Sequence, residues 1–110
     1  MDAPSATSVP SITAAALRHE LDSASPPLLI DVRKAPAYLA APDRIRGALR
    51  RDPATVDEWA KSLPVAAPVI VYCVHGHEVS QGVARAIGAR YLEGGIEGWR
   101  AAGGELEPRG

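Results

Sequence analysis

Phenylalanine is absent from this 110-residue chain, and cysteine and methionine occur once each. A lone Cys cannot close an internal disulfide, so nothing argues for an oxidising compartment. Neither sign of charge is in excess: 12 basic and 13 acidic residues leave a formal net charge of −1. That balance gives no support to wholesale binding of nucleic acid or of a membrane, and neither is expected as a partner. No apolar run nears the roughly 18 residues of a membrane span. Met1 to Ser11 lacks the charged start and long apolar stretch of a secretory signal. These absences predict a cytoplasmic protein.

What is present is ordinary for a globule, with 46% hydrophobic residues and enough chain for one modest core. Without Phe, that core must come from Leu, Ile, Val and Ala with three Tyr and two Trp. Residues 1–10, rich in Ser, Pro, Ala and Thr, read as a flexible tail, and 11–110 as a single domain. Thr13 is placed to cap a helix in which Leu17 and Leu21 share one face. Leu28 to Val32 reads as a buried strand after Pro26-Pro27, and Pro36 to Ala41 as a short helix offering Tyr38 and Leu39 to the core. A short strand is expected between Ile45 and Leu49, and a helix from Pro53 to Leu63 carrying Trp59. Val69 to Tyr72 is a short β-branched run after Pro68, the pattern of a buried strand. A helix from about Ser80 to Ile87, a strand at Arg90 to Leu92 and a last helix at Ile96 to Ala102 follow. Strands alternating with helices predict an α/β fold, an open parallel sheet flanked by helices.

The single Cys73 falls at the end of the Val69–Tyr72 strand and opens the loop Cys73-Val74-His75-Gly76-His77-Glu78-Val79. Open parallel sheets bind ligands at the carboxyl ends of their strands. Where a strand ends and a helix begins, backbone N–H groups converge and the helix dipole favours negative charge, which suits a thiolate. A packed, inert Cys is the ordinary alternative. The loop position points to the reactive one.

Three blocks resemble the rhodanese-like sulfurtransferase domain in its single-domain form. They are Leu29-Ile30-Asp31-Val32-Arg33 with Tyr38, Ile45 and Gly47-Ala48; Val71-Tyr72-Cys73 with Gly76; and Leu92-Glu93-Gly94-Gly95-Ile96-Glu97-Gly98-Trp99 with Gly103. The resemblance covers roughly residues 28–103. It implies a sheet of about five short parallel strands with helices on both faces. It also implies sulfur transfer from a small anionic donor such as thiosulfate to cyanide or a thiol, with a protein sulfur acceptor as one form. Cys73 would be the nucleophile and persulfide carrier. The amides of Val74, His75, Gly76, His77, Glu78 and Val79 would cradle the anion, and Arg33 would join the substrate-binding set. No cofactor is expected, and although Cys73, His75 and His77 invite a metal reading, alternating residues of a tight loop seldom converge on one ion, so no metal is expected. The same resemblance admits a non-catalytic binding or regulatory module.

Departures from the family pattern are informative. Glu78 stands where a basic or hydroxyl residue is common, so its carboxylate either faces the pocket and opposes a dianion or faces out as a helix-start acid. The loop is about one residue longer than usual, which predicts a roomier pocket. No Arg occurs in the loop to clamp a phosphoryl group, which argues against phosphatase chemistry. His75 and His77 are expected on the pocket rim. Asp31 and Arg33 are expected to pair and fix the wall. Arg44, Arg46, Arg50 and Arg51 form a basic cluster whose ordinary meaning is a solvated face and whose sharper one is a docking patch.

Overall fold

The computed structural model describes residues 9–64 and 67–109. Residues 1–8 of the expected tail lie outside them, whereas Pro10 accepts a hydrogen bond from the Tyr91 amide at 3.1 Å. Five strands form a parallel sheet in the order β1-β6-β5-β2-β4: β1 (Ser11–Ile12), β2 (Leu28–Asp31), β4 (Leu49–Arg50), β5 (Val69–Tyr72) and β6 (Arg90–Leu92). Helices α1 (Ala14–Leu21), α2 (Ala35–Ala40), α3 (Val56–Trp59), α4 (Glu78–Ile87) and α5 (Gly95–Ala101) connect or follow them. This is the expected α/β architecture.

The two-residue period of the strands sorts the core into two layers. Leu29, Ile70 and Tyr72 join Leu17 of α1 and Ile96 and Trp99 of α5 on one face. Ile30 and Val71 meet Val83 and Ala84 of α4, with Val56 and Trp59 of α3, on the other. Both faces are covered, so β2 and β5 read as unbroken apolar runs. The Thr13 hydroxyl caps α1 by accepting from the Ala16 amide at 3.1 Å.

Three expectations are corrected. The strand sought between Ile45 and Leu49 is split: Leu49–Arg50 enters the sheet, while β3 (Asp43–Ile45) leaves it to pair antiparallel with β7 (Leu106–Pro108). Leu39 is 63% exposed instead of buried. The helix from Pro53 is broken into a 3-10 turn (Pro53–Thr55), α3 and a second 3-10 turn (Ala60–Ser62). Asp52, which accepts from the Ala54 amide at 2.9 Å, caps the first of these turns.

The basic cluster is largely engaged within the chain. Arg44 and Arg46 pair with Glu107 and Glu105 across the β3–β7 ribbon, and Arg50 donates to the Arg33 carbonyl at 2.7 Å. Arg44 and Arg50 are partly buried in these pairings, whereas Arg46 stays exposed.

Candidate active site

Cys73 follows β5 directly, and the sheet fixes where its sulfur sits. The Tyr72 carbonyl accepts from the Val32 amide at 2.9 Å, joining the ends of β5 and β2. The carbonyls of Cys73 and Val74 accept from the amides of Ile96 and Glu97 at 2.9 and 3.1 Å. Those donors belong to the first turn of α5, whose N–H groups have no acceptor inside the helix. The loop therefore rests on the start of α5.

Two glycines permit this approach. Gly95 has φ of +59°, and a Cβ there would fall on the carbonyls of Cys73 and Val74. Gly76 has φ of +74°, and its Cβ would stand 2.7 Å from the Leu92 carbonyl and 2.8 Å from the Gly94 amide. Only glycine accepts both the positive φ and the contact. The Gly94-Gly95 block of the sequence is thus a backbone support for the Cys73 loop. Gln81 ties the loop to α4 through a 3.0 Å bond from Nε2 to the Gly76 carbonyl.

Cys73 is buried, yet it lines a cavity of about 240 Å³ with Arg33, Lys34, His75, His77 and Glu78. Val74, Val79 and Ala37 complete the wall. Of the residues singled out from sequence, Gly76 alone stays behind the wall instead of lining it. His75, His77 and Glu78 are exposed at the rim, the two imidazole rings 6.1 Å apart. Among the described residues, the amides of Val74 to His77 donate to no backbone acceptor. Glu78 and Val79 open α4, where first-turn amides also lack an intrahelical acceptor.

The wall opposite the loop is held by a buried ion pair. Arg33 Nη2 lies 2.7 Å from Asp31 Oδ2, and both side chains are almost wholly buried. Arg33 Nε reaches both Asp31 oxygens at 3.1 Å, and Nη2 also donates to the Asp43 carbonyl at 3.0 Å. Burial alone would lower the guanidinium pKa, but the hydrogen bonds and charge of Asp31 outweigh it and hold the group above its ordinary value. Tyr72 donates to Asp31 at 3.1 Å and accepts from the Ile45 amide at 3.1 Å. Burial, then the nearby carboxylate, push its phenol up. Tyr38 lies under the guanidinium groups of Arg33, Arg50 and Arg109, at 5.3, 5.0 and 5.4 Å from its ring centroid.

One polar partner of the sulfur escaped the sequence reading. Ser80, fully buried in α4, accepts from Cys73 Sγ at 3.1 Å. The signal was a hydroxyl on the same helical stripe as Val83, Ala84 and Ile87, where an apolar residue is the rule. Lys34 was also missed, since a lone surface-type Lys after Arg33 carries no spacing signal.

A family model described as the rhodanese-like domain matches residues 13–102. The thiosulfate sulfurtransferase GlpE of Pseudomonas fluorescens is 31% identical over 78 residues, covering 66% of this chain and 70% of that protein. The solved rhodanese-like domain from Anabaena sp. is 28% identical with a TM-score of 0.72, over 89% of this chain and 78% of that one. A rhodanese-related protein from Thermoplasma volcanium shares the fold at 22% identity and a TM-score of 0.76, over 89% and 97% of the two chains. The matched span runs from the cap of α1 to the end of α5, with the Cys73 loop inside it, and the chain therefore belongs to the rhodanese-like domain family.

Proposed function

We propose that this protein is a sulfurtransferase that moves a sulfane sulfur from an anionic donor such as thiosulfate to a thiol or cyanide, carrying it as a persulfide on Cys73. The observation that supports this most is the placement of Sγ: on a cavity wall, 3.1 Å from the Ser80 hydroxyl, beside the amides of residues 74–77, which have no backbone acceptor among the described residues. A hydroxyl rotates to donate or accept, so Ser80 serves a neutral thiol and an anionic sulfur alike. The amides of residues 74–79 are the donors available to a persulfide anion, as in other oxyanion-type cradles.

In the first step the Cys73 thiolate attacks the outer sulfur of thiosulfate. The new S–S bond forms as the old one breaks, and sulfite departs with the electron pair. In the second step the acceptor attacks the outer persulfide sulfur, and the Cys73–sulfur bond breaks with its electron pair returning to Sγ. No net oxidation of the enzyme occurs over the cycle. Lys34 on the cavity wall adds positive charge for the donor, with Arg33 behind it. Glu78 at the rim opposes an anion. That carboxylate favours a second reading, a non-catalytic binding module of the same family.

Intact-mass measurement after incubation with thiosulfate separates the two. The expected result is the gain of one sulfur atom, lost in Cys73→Ser, together with cyanide-dependent thiocyanate production. Absence of both sulfur uptake and turnover in the wild type with any sulfane donor would leave the binding module.

A further inference from the structure

Beside the Cys73 cavity lies a groove of about 590 Å³, bounded by the start of α2, the Pro53 turn, α3 and α4. The two depressions share Lys34, Glu78 and Val79, so the groove adjoins the cavity that holds the sulfur. Their linings differ. Ala35, Pro53, Ala54, Val56, Val79 and Val83 make the groove hydrocarbon for most of its area. Charge is confined to Lys34 and Glu78 at the shared mouth, one of each sign, and to Asp52, whose carboxylate is turned to the Ala54 amide.

Gly82 also lines this groove. It sits inside α4, where glycine destabilises a helix, and a Cβ built there meets nothing within 4 Å. No packing neighbour requires the missing side chain. What its absence supplies is open space in the groove.

We propose that the groove holds the body of the sulfur acceptor, and that the acceptor is a small organic thiol with an uncharged hydrocarbon chain. This rests on the sulfurtransferase reading of Cys73. Thiosulfate and cyanide have no hydrocarbon to bury and leave the groove unused. A thiol entering along it brings its sulfur through the shared mouth to the Cys73 persulfide. The acceptor thiolate, its proton lost to solvent, attacks the outer sulfur. An RS–S bond forms, the Cys73–sulfur bond breaks, and the pair returns to Sγ, releasing an alkyl persulfide anion. The opposite charges of Lys34 and Glu78 offset each other at the mouth, so together they do not repel the acceptor thiolate.

The test compares 2-mercaptoethanol, 4-mercaptobutanol and 6-mercaptohexanol as acceptors from sulfur-loaded protein. Burial of four added methylenes should raise kcat/KM by on the order of 10- to 100-fold from the first to the last. Gly82→Leu, which fills the groove, and Ala54→Glu, which charges an exposed part of its wall, should each flatten that ratio to within about threefold of one. The ratio is internal to each variant, so a general loss of activity does not imitate the effect. A flat series in the wild type, or an unchanged ratio in both variants, would overturn the proposal while leaving sulfur transfer intact. Titration of the unloaded protein with 6-mercaptohexanol, followed by the Gly82 and Val83 backbone amide signals, reads the groove without turnover. Saturable shifts support thiol binding in the groove even if Cys73 takes up no sulfur, and unmoved signals overturn the proposal.

Discussion

The hydroxyl of Ser80 stands 3.1 Å from the sulfur of Cys73, in a part of α4 sealed from solvent. The two lie seven positions apart in the chain, and the turn at Gly76 folds the loop back so that the helix delivers the hydroxyl to the sulfur.

Ser80→Ala should leave the fold intact and slow sulfur transfer. A hydrogen bond to a charged group contributes about 1.5–3 kcal/mol, so kcat for transfer to cyanide should fall roughly 10- to 100-fold. Steady-state kinetics beside a far-ultraviolet circular dichroism spectrum measure both. An unchanged kcat with native structure would reduce the contact to packing.

Gly95→Ala should destabilise the protein by about 2–5 kcal/mol, because left-handed backbone strain adds to collision with the Cys73 loop. Gly103→Ala is the comparison: its φ is +80° but nothing lies within 4 Å of the added carbon, so backbone strain alone, about 1–2 kcal/mol, is expected. Urea denaturation of the two variants distinguishes them. Equal losses would show that the α5 start does not support the loop.

Acid should weaken the fold through two carboxylates that arginines hold below their ordinary values. The hydrogen bonds from Arg100 lower Asp43, and those from Arg90 lower Glu20. A lowered folded-state pKa means that the stabilisation is complete above the ordinary values of 3.8 and 4.5 and is lost as pH falls below them. The melting temperature of the wild type should therefore drop more steeply below about pH 4.5 than that of an Asp43→Asn, Glu20→Gln double variant. Parallel acid profiles would remove these pairs from the account.

Local signals carried much of this fold. Val69–Tyr72 and Arg90–Leu92 were legible because Pro68, Cys73 and Gly94 bracket β-branched or apolar runs, and α1 because Thr13 precedes Leu17 and Leu21 at helical spacing. The β3–β7 ribbon was not. Asp43-Arg44-Ile45 and Leu106-Glu107-Pro108 are short and charged or proline-bearing, and each becomes a strand only by meeting the other across the chain. Leu39 misled because α2, six residues long, turns its middle to solvent while Tyr38 lies beneath arginines. At the site, the Cys73 loop announced itself through glycine and strand-end position. Ser80 did not, since one serine in a helix gains meaning only from the sulfur that folding brings beside it.

The ribbon has a bearing on how the protein is made. Asp43 accepts from Arg33 and Ile45 donates to Tyr72 at the base of the site, and the strand that pairs with them comes last among the described elements. On the ribosome, residues 28–73 emerge well before their clasp does, and pairing across so long a separation is slow to form. The stretch that carries Cys73 is therefore made before the base of the site is fastened, and its finished geometry waits on Leu106–Pro108.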